Sequence, residues 1–330
     1  MEVKVLSVEE KQELAFTRKR VLYNNKWAAN PWKEEAQRIF ETRLSEIGKN
    51  QIFEGVRLHV DNATEVLFRD AQLNKLHSII TDIYDSLPYH PDSAFDQAWS
   101  ALELSMKLYN VRLWEGRKGN TDTIINDIFT QELPALLKDY PDLKTSLFEF
   151  VNVMPLSVTR FAYARWFHHR GLEVQSHYGE IQRRTKEIIG EEMYNRFAEK
   201  YAPEDDAKHQ FESAQEIRDI LRGKELVFAD KTFDPFDEWT RLRIVVSCLL
   251  YTARNERFHG DNFSHFKSDR ASLKTYHHFY YLLMVTYSLL WVLLLRLCLR
   301  TGITTFVTPE QVKTSIDKNI ELITTVFKQD

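Results

Sequence analysis

The feature that most constrains this chain is the stretch from Phe279 to Leu295, FYYLLMVTYSLLWVLLL, which carries no charged residue and runs straight into Arg296. As a helix it rises about 25 Å, a little short of the roughly 30 Å of a bilayer's hydrocarbon. Tyr280, Tyr281, Thr286, Tyr287 and Ser288 interrupt it with hydroxyls. The expected place for such a helix is a protein core or a dimer interface, with a short membrane-spanning segment as the alternative. A core able to enclose it needs a large chain. With 330 residues, enough for one large domain or two ordinary ones, folding removes roughly 75% of the unfolded surface from water, so neither a disulfide nor a structural metal is required. The two cysteines, Cys248 and Cys298, sit in apolar, helix-patterned stretches. Their spacing matches no zinc or redox motif, and both read as small buried hydrophobes in a reducing compartment.

Ten glycines and nine prolines in 330 residues are about half the usual share. All-β folds need many Gly and Pro turns, so the expected fold class is all-α. The balance of 44 basic against 48 acidic residues, net −4, excludes nucleic-acid binding through a global positive field and leaves only local basic patches. The amino terminus, MEVKVLSVEEKQELAF, has no apolar core behind a basic start, so a cytoplasmic location is expected.

Helical spacing runs over Val8 to Tyr23 and Trp32 to Ile47, parted by the loop NNKWAANPW. Gln51 to Phe68 is the least helical part and could hold a strand or two. Gln72 to Leu87 is helical again and stops at Pro88 and Pro91. A boundary is placed there, between a regulatory or recognition region (1–90) and a larger domain (91–330). After Pro91, Phe95, Ala98, Trp99, Leu102, Met106 and Tyr109 share one face of an amphipathic helix. GRKGN then turns the chain into a helix from Thr121 to Lys138. Leu156 to Ile189 reads as one long basic helix with Arg160, Arg165, Arg170, Arg183, Arg184 and Lys186. Its interleaved aromatics are either core or, with those charges, a patch that tracks a phosphate backbone. Ala207 to Leu221 is closed by Gly223. Pro235 opens a helix whose Leu242, Val245, Val246, Leu249, Leu250 and Ala253 make a continuous apolar stripe, a second helix runs from Arg270 to Arg300, and His277 and His278 near its start fall at a subunit or domain contact. The last helix has Thr308 as N-cap, Pro309 in first position and Gln311 closing a capping box.

The stripe leads directly into RNERFHG. Asn255 and His259 are four apart and share a helix face, with Arg254 one position earlier and longer in reach. An arginine binds phosphate oxygens bidentately and stabilises charge added in a transition state, and a histidine that titrates near neutrality moves a proton. Together they suit RNA cleavage, in which the ribose 2′-OH is the nucleophile, so that a base, an acid and charge stabilisation suffice. Arg254, Asn255 and His259 are the candidate catalytic residues. Arg257 faces another side of the helix as a surface charge within reach of an RNA phosphate, and His265 and Lys267 in the following loop are further candidate RNA contacts. The plainer reading of these three is a solvated side chain. His168 and His169 are adjacent and would point in different directions from a helix, and with His177 they are not read as a zinc site; no metal or other cofactor is expected.

The string LLYTARNERFHGDNF resembles the signature of the HEPN superfamily, an arginine, four to six residues and a histidine, often with a polar residue after the arginine and a glycine after the histidine. Here these are Arg254, Asn255, His259 and Gly260. FDQAWSALELSM, with Trp99 and Glu103, is similar to the family's opening amphipathic helix, although more than 100 residues part it from the motif. Either the bundle carries a large insertion or its first helix is the basic one at Leu156 to Ile189. The resemblance implies an all-α HEPN-like helical bundle with an additional helical N-terminal region. It implies a metal-independent endoribonuclease that dimerises so that two motifs face each other, acting as a toxin or in abortive infection against phage, with an antitoxin or trigger protein as a possible further partner. The homodimer is expected through the C-terminal helices, with no membrane contact. Two other readings stay open: a non-catalytic HEPN module binding RNA, nucleotide or a partner protein, and a membrane-associated protein anchored by Phe279 to Leu295.

Overall fold

The uncharged stretch is the axis about which the other helices pack. The computed structural model describes residues 7–25, 35–117, 119, 121–167, 176–201, 207–258, 266 and 271–327. In chain order the first helices are α1 (Val8–Asn25), α2 (Glu35–Glu46), α3 (Val60–Arg69), α4 (Ala71–Asp85) and α5 (Pro91–Leu113). There follow α6 (Thr121–Asp127), a π-helical turn (Ile128–Glu132), α7 (Leu133–Asp139), α8 (Pro141–Asn152), α9 (Leu156–Phe167), α10 (Ser176–Ile189), α11 (Glu191–Tyr201) and α12 (Ala207–Leu221). A hairpin of two two-residue strands, β1 (Leu226–Val227) and β2 (Thr232–Phe233), precedes α13 (Glu238–Ile244), a second π-helical segment (Val245–Leu250) and α14 (Tyr251–Phe258). The chain closes with α15 (Leu273–Thr301) and α16 (Pro309–Val326). The fold is all-α, and the hairpin is the only sheet among the described residues.

Every residue from Phe279 to Leu295 is buried. α5 runs alongside α15, α4 covers α5, and α2 and α16 flank α15. Full burial stabilises by roughly 1.5–3 kcal/mol for each large apolar side chain, and α15 buries Trp291, Leu290 and Leu295 among others. By length and composition α15 could cross a membrane, yet 89% of its most apolar window is enclosed by the rest of this chain. Of the two places expected for this stretch, its own chain's helices make it a core. His277, expected at a subunit or domain contact, stacks on Phe327 with ring centroids 4.5 Å apart, and His278 meets the edge of Phe161.

The ends of α15 and α16 follow from local chemistry. The Ser272 N–H donates to Thr275 Oγ1 at 3.0 Å, and Gly302, at φ +77°, takes the left-handed conformation that ends α15. The capping box expected at Thr308 is present: its N–H donates to Gln311 Oε1 at 2.9 Å and its hydroxyl accepts from the Gln311 N–H at 3.3 Å. The helix expected from Pro235 begins later, where Asp237 accepts from the N–H groups of Trp239 and Thr240.

Residues 51–59 form neither helix nor strand, and α3 follows. The polar groups a sheet would have paired are met by side chains instead. Buried Asn319 accepts from the Glu54 N–H at 2.8 Å and donates to its carbonyl at 2.9 Å, while the Val56 N–H donates to Tyr287 Oη at 2.9 Å. Gly55 allows the close approach, because a Cβ there would lie 2.6 Å from Tyr84 Oη.

The long basic helix expected from Leu156 to Ile189 is two helices. α9 and α10 pack against each other, which a single straight helix cannot do. Folding back lets both Tyr163, Trp166 and Phe167 on α9 and Ile181 on α10 reach the core. The core is also continuous across the boundary expected near residue 90, joining Phe40, Ile52 and Leu76 to Trp99 and Tyr280 in one apolar cluster.

Candidate active site

The helix that carries the motif is continuous from α13 through the π segment into α14. All six residues of the expected stripe, Leu242, Val245, Val246, Leu249, Leu250 and Ala253, are buried, as are Ile244 and Cys248. A π segment inserts an extra residue into the helical phase and is common at functional sites. Here it broadens the buried face before the motif. Beyond it, Thr252, Ala253 and Glu256 point inward, Arg254 and Asn255 lie at the rim, and Phe258 is 53% exposed.

The two residues inside the motif's spacer are its anchors. Glu256, 2% exposed, receives Arg165 of α9 through Nε at 2.6 Å and Nη2 at 2.8 Å, and that guanidinium lies 4.1 Å from the Phe161 ring. Arg257 was expected as a surface charge. Instead it is 13% exposed and grips Asp96 of α5 with Nε at 2.7 Å and Nη2 at 2.6 Å, with Asp92 at 3.3 Å. The correction has a simple cause: the helix turns Arg257 toward two carboxylates that α5 places one turn apart. Burial works against its charge, but Asp96 and Asp92 hold its proton more firmly than usual. Burial lifts the Asp96 carboxyl above the ordinary range, against the pull of Arg257. An arginine so engaged has little left for an RNA phosphate.

Arg254 is differently placed. Its Nη1 donates to Asn255 Oδ1 at 2.9 Å and its Nη2 to Glu103 Oε2 of α5 at 3.2 Å, while the guanidinium lies 4.3 Å from the Phe258 ring. Its Nε is buried and has no hydrogen-bond partner among the described residues. Asn255 lies within α14 and is bonded to the arginine beside it, so two of the three candidate catalytic residues touch. Glu103 was noted in the sequence only as part of a compositional likeness of α5. The structure gives it a contact, and Trp99, one turn earlier, lies 5.8 Å from Tyr251. α5 and α9 thus both hold the motif helix, from different sides.

His259, His265 and Lys267 lie outside the described residues, as do His168 and His169; of His177 only the backbone is described. The structure brings together Arg254, Asn255 and Glu103. Through Ala253 and Arg257 the same helix lines a cleft of about 340 Å³ between α9, α14 and the start of α15. Phe161, Ala253 and Phe279 give it apolar walls, and Arg160, Lys274 and His278 supply cations or donors at its rim. Such a cleft suits a flat ring against apolar walls with anionic groups at its edge. Comparison with protein-family models, curated proteins and solved structures returns no match.

Proposed function

We propose that this chain is a metal-independent endoribonuclease of the HEPN type, cytoplasmic and acting in phage defence or as a toxin. The observation that carries the reading is Arg254. It is held half-buried at the rim of the motif helix by Asn255 and Glu103, and Ala253 and Arg257 of the same helix line a cleft with apolar walls and a cationic edge. His259 follows five residues on in sequence.

In the reaction the 2′-oxygen of a ribose attacks the adjacent phosphorus, and the bond from phosphorus to the 5′-oxygen of the next nucleotide breaks. A base removes the 2′-OH proton, an acid supplies one to the departing 5′-oxygen, and Arg254 offsets the charge that builds on the non-bridging oxygens. The products are a 2′,3′-cyclic phosphate and a 5′-hydroxyl. One histidine cannot be base and acid at the same moment. Two chains facing each other supply two, which is the chemical reason for a homodimer. A dimer contact near exposed Phe258 rather than through α15 fits the burial of the apolar stretch.

A second reading is favoured by one observation: both terminal nitrogens of Arg254 already have partners within this chain, as in a module that binds RNA, nucleotide or a partner protein without cutting. The experiment that separates them offers a single-stranded RNA and its all-deoxy counterpart to the purified protein in EDTA. The nuclease reading predicts that the RNA is cut and the deoxy strand is left whole, because only the RNA carries the nucleophile. Cleavage of both, or of neither, contradicts it.

A further inference from the structure

On another side of the motif helix lies a second cavity, of about 260 Å³, that the ribonuclease reading does not use. It is lined by Arg183 and Arg184 from α10, Arg243 from α13, Ser247 from the second π segment, Asn126 from α6 and Tyr251 from α14. Three guanidinium groups meet a single carboxylate there, that of Glu187. Arg183 is committed to Glu187 at 2.5 Å and to Glu180 at 2.7 Å. Arg243 is half-buried and has no hydrogen bond or ion pair among the described residues. The side chains of Asn126 and Ser247, also half-buried, likewise have no partner among the described residues. Arg184 is 8% exposed and lies 4.4 Å from the Tyr251 ring. Burial raises the Cys248 thiol next to Ser247, and the charges of Arg184 and Arg243 both pull against it.

A guanidinium removed from water is costly unless an anion meets it. Arg243 meets no anion among the described residues, and beside it the cavity presents Arg184, an amide and a hydroxyl, while its one carboxylate is bonded to Arg183. Several donors converging from different directions match an oxyanion with several oxygens, and a planar fork of N–H groups is suited to phosphate. We propose that this cavity binds a small molecule through a terminal phosphate or pyrophosphate group, with Arg243 and Arg184 holding the phosphate oxygens and Asn126 and Ser247 completing the shell. Ile125 and Ile188 give the cavity apolar walls for the remainder of the ligand. At about 260 Å³ it lies just below the usual range of small-molecule sites, which favours an inserted phosphate end over a whole polymer segment.

The test is isothermal titration of the full chain with pyrophosphate, AMP and a single-stranded RNA, each against native protein, Arg243→Gln, Ser247→Ala and Arg254→Gln. Arg243 and Ser247 are half-buried with no hydrogen bond or ion pair among the described residues, so neither substitution breaks an internal bond seen there. The proposal expects pyrophosphate or AMP to bind, the affinity to fall about tenfold to a hundredfold in Arg243→Gln and by less in Ser247→Ala, and Arg254→Gln to match native protein. Tighter AMP than pyrophosphate identifies a nucleotide-like ligand, and the reverse an inorganic oligophosphate end. No binding of either small probe overturns the proposal. So does binding that Arg243→Gln leaves intact, and so does an RNA-only response lost in Arg243→Gln, which assigns the cavity to a polymer backbone. Because Arg254→Gln is the control, failure here leaves the reading of the motif untouched.

Discussion

Within RNERFH the residues between the arginine and the histidine hold the helix down. Glu256 meets Arg165 and Arg257 meets Asp96 and Asp92, each contact having a buried member in Glu256 or Asp92, whereas neither member of the Arg254–Glu103 pair is buried. Removing one partner of a buried pair leaves an uncompensated charge and costs about 3–5 kcal/mol, while a partly exposed pair is worth about 1 kcal/mol or less. Urea denaturation of Glu256→Ala and Arg257→Ala is therefore expected to show losses of that larger size, and Arg254→Ala a small one. Equal losses for Arg254→Ala and Arg257→Ala would contradict this division. The motif was legible in the sequence as a string, but its internal roles were not. Nothing in the one-dimensional pattern places Asp92 and Asp96 beside Arg257, since that pairing spans more than 160 residues of chain.

At the scale of elements, α15 was visible at once because no other arrangement hides seventeen uncharged residues, and α16 because its capping box is local. The π segments were not visible. The turn at Ile128–Glu132 precedes Pro134, which has no N–H for the Thr130 carbonyl, and the helix widens there; the one at Val245–Leu250 arises from packing that no short window contains. The segment near Glu54, expected to be the least helical part and able to hold a strand, forms none, and its backbone groups pair with side chains from α15 and α16. α15 also carries a pH-sensitive contact. Burial against Phe327 pushes His277 down from 6.5 to about 4. The unfolded chain then binds the proton more readily, so this histidine's stabilisation is full above pH 6.5 and is lost as pH falls toward 4, by about 3 kcal/mol in all. His77, lowered by burial as well, acts in the same direction. His277→Phe keeps a ring against Phe327 and removes the titration. Its urea midpoint is expected to fall less than that of native protein between pH 7 and pH 4, and parallel curves would contradict the assignment.

For the whole molecule, one apolar cluster runs from α2 to the residue after α16, so α2, α3 and α4 share a core with the motif helix. All-α class followed from the scarcity of Gly and Pro; the way α5 and α9 converge on α14 did not, because it depends on long-range packing. The proposed chemistry adds an expectation beyond one chain. Sedimentation velocity should find a dimer, formed without α15, and a stable monomer with and without RNA would contradict the composite site. The most direct measurement is cleavage of total cellular RNA by purified protein in EDTA, comparing native protein with His259→Ala and Arg254→Ala and mapping the product ends. The account predicts cutting by native protein alone, leaving 2′,3′-cyclic phosphate and 5′-hydroxyl ends. Native and both variant proteins giving the same result would contradict it.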